Sequence, residues 1–359
     1  MNKYKVSVYA ICKNEEKNIK DWVSSMKEAD EIYVLDTGST DKSISLLKKL
    51  GVNVKSEVID PWRFDIARNK SLDMVSKNTD ICVCTDIDER FENGWREELE
   101  KVWDKNITRV NYNYNWSFDE YGKPATSFYI SKIHARKGYR WVNAVHEVLK
   151  YELDNEKEII NDKIVLNHYQ DIKKERSSYL PLLELSVKED PTNDRNMHYL
   201  GREYMYYKEW NKCIDTLIKH LNMPSSTWKD ERCASMRYIA KSYIALKRYV
   251  EAEMWLNKAI EEAPYLREPY YERGLLKYTQ NNYLEAKEIL IKCLEIKEKN
   301  KIYLNEYYCW DGSIEDILSI CEFNLKNFKD SLKYAKIASK LKPNNTRIKE
   351  NIKIIRTFI

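Results

Sequence analysis

From residue 4 to about 170, short apolar, β-branched runs alternate with stretches whose apolar positions recur at helical spacing. The runs 6–12, 31–36, 53–59 and 81–86 read as strands, and 15–29, 41–50 and 66–76 as helices, with Ser39, Thr40 and Asp41 offering N-caps for the second. Strand and helix in alternation are the grammar of βαβ units, so residues 1–170 are expected to form an α/β domain on a mainly parallel sheet. Open sheets of that kind bind ligands at the carboxyl ends of their strands, which directs attention to the loops after each run.

After about residue 195 the period changes. Four copies of a helical pair overlay when small and aromatic positions are aligned. Gly201, Trp210, Cys213 and Leu217 match Ala240, Tyr249, Ala252 and Leu256, then Gly274, Tyr283, Ala286 and Leu290, and a weaker set, Ser319, Phe328, Ser331 and Ala335. Small residues let two antiparallel helices approach, the aromatic fills the turn between them, and Pro264 and Pro343 stop the second helix of their copies. The pattern resembles the tetratricopeptide repeat, about 34 residues long. Successive copies here stand 39, 34 and 45 residues apart, so insertions are expected around 224–230 and 300–312. Residues 196–359 are thus expected to form an all-α, tetratricopeptide-like solenoid, with a helical linker over 171–195. Such arrays bind a peptide or protein partner or form a homodimer face. The tyrosine-rich run 303–310 is expected either to make that contact or to pack as a cap.

Composition narrows the partners. The 359 residues suffice for two cores, and 43% hydrophobic with 12% aromatic content is globular. Sixty-one basic against 57 acidic residues, a formal charge of +4, give no reason to expect nucleic acid. The first residues carry no secretory apolar core, and no run approaches the ~18 apolar residues of a membrane span, so a cytoplasmic protein is expected. Eight cysteines, Cys12, Cys82, Cys84, Cys213, Cys233, Cys293, Cys309 and Cys321, are scattered through apolar segments, which predicts buried thiols.

Three strand ends carry polar chemistry. The run through Ala10 and Cys12 passes into Lys13-Asn14-Glu15-Glu16, where backbone groups and carboxylates can face a base and ribose. Asp36 stands at the tip of the second strand, ahead of Gly38, Ser39, Thr40 and Asp41, placed to accept hydrogen bonds from a uracil or ribose edge. At the third end, Asp86, Asp88 and Glu89 put three acids within four residues. That concentration of charge is unfavourable without a counter-ion, and a divalent cation supplies one. Hard cations such as Mg or Mn take oxygen ligands and bind through one or two carboxylates plus substrate phosphates. If the strand continues, Asp86 and Asp88 share a face.

Asn14-Glu15-Glu16, Asp36-x-Gly38-Ser39-Thr40-Asp41, Ala67-Arg68-Asn69 and Asp86-x-Asp88-Glu89, in that order and spacing, resemble family 2 glycosyltransferases. The resemblance covers about 4–170 and implies a GT-A fold that binds a UDP-sugar with a divalent metal, Mn or Mg, at an Asp-x-Asp motif. It implies Ala10, Asn14, Glu16 and Asp36 on the nucleoside side and Arg68 and Asn69 near the donor. Asp86 and Asp88 then lie at the ribose, diphosphate and metal, Asp88 counting also as catalytic. A guanidinium at Arg68 suits a diphosphate on physical grounds, since it pairs with phosphate oxygens through two hydrogen bonds. In members with repeat tails, a Trp-containing segment ends in His-Glu and a later histidine closes the site. Carried onto Trp141 to Glu147 and onto His168, this makes His168 the third metal ligand and Glu147 the general base that takes the acceptor's proton. Asp119 or Glu120 are alternative bases, in which case His146 and Glu147 organise the acceptor loop. Trp116, Phe118, Tyr139 and Trp141 offer a stacking wall. The implied reaction is an inverting transfer of a hexose or N-acetylhexosamine, with the repeats selecting a peptide or protein acceptor. Two other readings stand beside it: a non-catalytic repeat scaffold with a nucleotide-sugar-binding domain, and a transferase acting on an envelope glycan.

Overall fold

Four strands line up side by side near the start of the chain. β1 (Val6–Cys12), β2 (Glu31–Asp36), β3 (Asn53–Ser56) and β4 (Ile81–Cys84) pair in parallel in the order β3-β2-β1-β4. They are connected through α1 (Ile19–Met26), α2 (Ser43–Lys49) and α3 (Phe64–Met74). The computed structural model that places them describes residues 3–120, 122–170 and 179–359 and divides into two units, Met1–Glu189 and Asp190–Ile359. β1 and β4 read as unbroken apolar runs because both faces are covered. Val6, Val8, Ala10, Ile81 and Val83 face a core with Trp22, Met26 and Trp95, while Tyr9, Cys82 and Cys84 face a second one with Leu72, Tyr139 and Trp141. Two strands and all three helices shift from their expected bounds, 15–29, 41–50 and 66–76 becoming Ile19–Met26, Ser43–Lys49 and Phe64–Met74. The third run stops at Ser56, the fourth at Cys84, and α1 begins at Ile19 because Asn18 N–H first closes a turn onto the Glu15 carbonyl.

Beyond β4 the sheet becomes mixed. β5 (Glu89–Phe91), α4 (Trp95–Val102), β6 (Arg109–Phe118), β7 (Pro124–Ala135), β8 (Tyr139–Val142), β9 (Val148–Tyr151) and β10 (Glu158–His168) follow in the chain. The eight-stranded order is β3-β2-β1-β4-β7-β6-β10-β5, and β8 and β9 form a separate hairpin. β7 runs antiparallel to β4 and β6, and β10 lies parallel to β6 and antiparallel to β5, so the parallel half is the one that carries the first three motifs. α5 (Tyr179–Glu189) closes this unit: Tyr179 packs near Phe64 and His146, and Glu189 pairs with Arg63 at 2.7 Å. Within the span expected as a linker, 171–195, residues 171–178 lie outside the described residues.

The second unit is α6 (Asp194–Tyr206), α7 (Trp210–Leu221), α8 (Lys229–Ala245), α9 (Tyr249–Glu262), α10 (Arg267–Thr279), α11 (Tyr283–Glu295), α12 (Ser313–Asn324), α13 (Phe328–Leu341) and α14 (Thr346–Arg356). The aligned aromatics Trp210, Tyr249, Tyr283 and Phe328 are the first residues of α7, α9, α11 and α13. Two positions earlier, Lys208, Lys247, Asn281 and Lys326 all take a left-handed φ of 60–63°. The next N–H in each copy reaches back five residues, as from Glu209 to Tyr204 and from Arg248 to Tyr243, both at 2.8 Å. This is the helix-ending motif that satisfies the last carbonyls of the first helix, repeated four times. Among the described residues no helix is long and apolar enough to cross a membrane. All eight cysteines are buried and free.

Small positions set how close the paired helices come. A Cβ added at Gly274 would lie 2.6 Å from Leu290 Cδ2 and 2.7 Å from its Cγ. Gly274→Ala gains up to about 1 kcal/mol of helix propensity, against about 1–3 kcal/mol for overpacking. The variant is therefore expected to unfold at lower urea concentration with an unchanged m-value, a net loss on the order of 1 kcal/mol.

The long insertion between α11 and α12 packs on the unit's own helices. Tyr303 meets Trp228 edge-on at 5.1 Å, Asn300 Nδ2 donates to Asp230, and the Glu306 N–H donates to Glu268. The Tyr308 hydroxyl joins Arg237 and Glu272, and Trp310 lies under Arg267 at 3.7 Å. Of the two expectations for 303–310, the packed cap matches these contacts.

Candidate active site

The acidic motif leaves the sheet sooner than expected. Thr85 N–H still pairs with the Tyr9 carbonyl, and its hydroxyl accepts from Trp22 Nε1 at 3.0 Å. The chain then turns: Glu89 N–H donates to the Asp86 carbonyl, and Asp86 N–H donates to Glu89 Oε2 at 2.8 Å. Strand alternation is thus broken between the two aspartates. Asp86 and Asp88 do not share a strand face but part to opposite neighbours.

Asp88 meets His168. β10 pairs with β5 so that His168 stands opposite Glu89, and Tyr169 N–H donates to the Asp88 carbonyl at 2.8 Å. His168 Nδ1 lies 3.1 Å from the Trp116 carbonyl, which can only accept, so the neutral ring carries its proton there. Its Nε2 lone pair then faces Asp88 Oδ2 at 3.6 Å, both side chains being 14% exposed. Two Lewis bases aimed at each other are relieved by a proton or a cation shared between them. Burial opposes protonation of His168, yet the hydrogen bond and charge of Asp88 outweigh it and raise its pKa.

Asp86 is turned the other way. Its Oδ1 accepts from Arg68 at 2.8 Å and its Oδ2 from Lys132 Nζ at 3.1 Å; Lys132 also reaches Glu89 at 3.1 Å. Arg68 is 5% exposed, bonds Glu147 through Nε and approaches Cys84 Sγ at 3.4 Å. Burial works against the ionised Asp86 carboxylate, but Arg68 and Lys132 hold its pKa far below the usual range. Burial, assisted by Asp86 and opposed by Lys132, raises Glu89 instead. The counter-ion expected from a metal alone is thus supplied in part by two protein cations. The expected trio of Asp86, Asp88 and His168 does not converge: among the described residues, the acid and histidine ligand atoms that close to within 4.8 Å as a trio lie in the second unit. Asp88 with His168 remains a chemically suitable pair, one hard oxygen and one imidazole.

Lys132 was not singled out in the sequence. The signal available was a lysine inside the apolar run of β7, two residues from His134, which is fully buried. Without knowing that β7 adds to β4, nothing aims it at Asp86.

Several residues expected beside the donor hold loops together. The Asn14 carboxamide accepts from Thr40 N–H at 2.8 Å, Asn14 N–H donates to Ser39, Glu16 N–H to Asp41, and Lys42 N–H to Glu16. Asp36 is 1% exposed and accepts from Gly38 and Ser39 N–H. Both amide ends of Asn69 bond the Trp141 backbone, at 2.8 and 2.9 Å. Ala10 is fully buried in the core of the sheet. Of the expected stacking wall, Tyr139 and Trp141 are core residues, Trp141 Nε1 donating to Tyr9 at 2.8 Å. Trp116 is 37% exposed beside the His168 ring at 6.2 Å, and Phe118 stacks on Tyr169 at 5.6 Å. Glu147 ends a loop in which Asn143 and His146 both take positive φ, 77° and 51°. Such conformations are sparsely populated by residues other than glycine and are retained where the surroundings impose them. Asp119 closes the β6–β7 turn, accepting from Lys123 N–H at 2.8 Å.

Residues 7–149 match the family described as Glycosyl transferase family 2. An uncharacterized glycosyltransferase of Rickettsia bellii is 32% identical over 100 residues, 28% of this chain and 33% of that protein. One of Rickettsia conorii is 30% identical over 100 residues, 28% of this chain and 34% of its own length. The chain spans about a third of the length of the curated relatives it matches. Among solved structures, MamA is 18% identical with a TM-score of 0.39, covering 50% of this chain and 99% of that one. A thermophilic TPR protein of Thermus thermophilus is 17% identical with a TM-score of 0.36, covering 50% of this chain and 89% of its own.

Proposed function

We propose that this chain, which carries a family 2 glycosyltransferase domain at residues 7–149, moves a hexose or N-acetylhexosamine from a UDP-sugar to a peptide or protein acceptor by an inverting, metal-dependent displacement. The observation that carries the reading is the facing pair of Asp88 Oδ2 and His168 Nε2, 3.6 Å apart beside Asp86. A Mn or Mg ion would be held by Asp88 and His168, with Asp86 reached through water or the donor's ribose. When bound, such an ion supplies Lewis-acid neutralisation of the charge on a departing diphosphate.

The chain's own groups do the rest. Three carboxylates, Asp86, Glu89 and Glu147, meet two permanent cations, Arg68 and Lys132, while Asp88 faces His168, an excess of acids that favours a divalent ion. Lys132, 21% exposed, is positioned to compensate phosphate charge, and Arg68 fixes Asp86 and Glu147 in one geometry. Asn14, Glu16 and Asp36 shape the two loops against which the nucleoside lies, and Asn69 holds β8 in place. Glu147, with one oxygen bound by Arg68, takes the acceptor proton on the other. Trp116 and Phe118 offer apolar faces to the acceptor or sugar, and the helical repeats select the acceptor chain.

Full-length protein incubated with a panel of UDP-sugars is expected to hydrolyse one of them slowly when Mn is present and to stop when chelator is added. Calorimetry is expected to detect UDP binding that strengthens with Mn. Turnover that ignores chelator overturns the metal role, and no UDP binding overturns the donor assignment.

A further inference from the structure

The second unit buries polar groups that the transfer reaction does not use. His198 of α6, His220 of α7 and Glu231 of α8 meet inside the array, 1%, 0% and 4% exposed. One ring nitrogen of each histidine and a carboxylate oxygen of Glu231 lie within 4.8 Å of one another. Ser235 Oγ holds Nδ1 of both rings, at 2.7 Å for His198 and 3.0 Å for His220. His220 Nε2 faces Glu231 Oε1 at 3.5 Å and Ser226 Oγ at 3.0 Å. Ser235 thus fixes the orientation of both rings, as hydrogen bonds to one ring nitrogen orient metal-binding histidines.

The repeat register shows that this cluster is an addition to the fold. Spacings of 39, 34 and 45 residues carry His220 onto Ala259, Cys293 and Ala338, all fully buried small residues. Glu231 stands in the extra first turn that makes α8 17 residues long, where α6 and α10 have 13. Ser226 belongs to the insertion before α8. Three departures from the repeat converge on one point, at a position where the other copies need only a small side chain. Burying polar groups is costly unless they are paired, and here Ser226, Ser235 and Glu231 partner the two rings in place of the small apolar side chain that suffices in the other copies.

We propose that His198, His220 and Glu231 bind one zinc ion that ties α6, α7 and α8 together at the start of the array. Two imidazoles and a carboxylate suit zinc, whereas Mg and Ca prefer all-oxygen shells.

The test uses the full chain carrying Asp88→Ala and His168→Ala, so that zinc counted is not zinc at the transfer site. After removal of metal with EDTA, calorimetric titration with Zn is expected to give one site per chain and a higher melting temperature. Co in its place is expected to give the intense visible bands of low-coordinate nitrogen and oxygen ligation. Adding Glu231→Gln is expected to weaken zinc binding by at least ~10-fold, with far-UV circular dichroism checking that the helices persist. No zinc uptake by the folded Asp88→Ala, His168→Ala chain overturns the site, and so does uptake that Glu231→Gln leaves unchanged. Should Glu231→Gln fail to fold, the titration before that change decides alone.

Discussion

Asp88→Asn is expected to lower sugar transfer by roughly 10³-fold, about 4 kcal/mol of transition-state stabilisation, without unfolding the domain. The substitution is nearly isosteric, and what ties the Asp88 backbone in place, the bond from Tyr169 N–H to its carbonyl, is untouched. His168 also keeps its orientation, because the Trp116 carbonyl fixes the opposite ring nitrogen. Only the charge that faces His168 Nε2 is lost. A neutral carboxamide is a poor ligand for a hard cation, so the Mn concentration needed for half-maximal rate is expected to rise along with the fall in kcat. His168→Gln keeps the carboxylate and is expected to cost less, on the order of 10–100-fold. Initial rates measured across a Mn series separate the outcomes. A variant within about threefold of the unsubstituted rate, under 1 kcal/mol, with the same Mn requirement sinks the assignment of Asp88.

The sheet's parallel half was legible because β1 and β2 are bounded by clear changes in polarity, and Asp88 and His168 were read as one site although 80 residues separate them in the chain. The repeat marks were legible for a stronger reason. Each aligned aromatic begins a helix and each aligned small residue faces its partner helix, so chemistry and geometry repeat together. What was hidden depends on strand order. Lys132 reaches Asp86 only because β7 inserts beside β4, and no local pattern encodes that neighbour. The loop residues were misleading in another way. Polar side chains such as Asn14, Glu16 and Asn69 look like ligand contacts, but irregular backbone carries N–H and C=O groups that must be paired, and these side chains pair them. A motif of that kind holds the loops of a site together.

Arg68 joins stability to chemistry, and its replacement is expected to expose both. Arg68→Met removes a guanidinium whose side chain is 6% exposed and which spans Asp86 and Glu147. Stranding a buried charge typically costs about 3–5 kcal/mol. The low end of that range applies here, because Asp86 is 33% exposed and keeps Lys132 at 3.1 Å. Glu147 is the group left stranded, at 10% exposure. Adding Glu147→Gln to Arg68→Met is therefore expected to recover on the order of 1 kcal/mol, measured by urea unfolding, since an uncharged amide tolerates the apolar site better. The same cycle decides what Glu147 does. Glu147→Gln alone leaves Arg68 paired with Asp86, so its stability loss should be small; as the general base, it should still lose roughly 10²–10⁴-fold in rate, the usual range for that role. If Glu147 only positions Arg68, rate and stability fall together by modest amounts in Glu147→Gln, and the base must be sought elsewhere along the acceptor face.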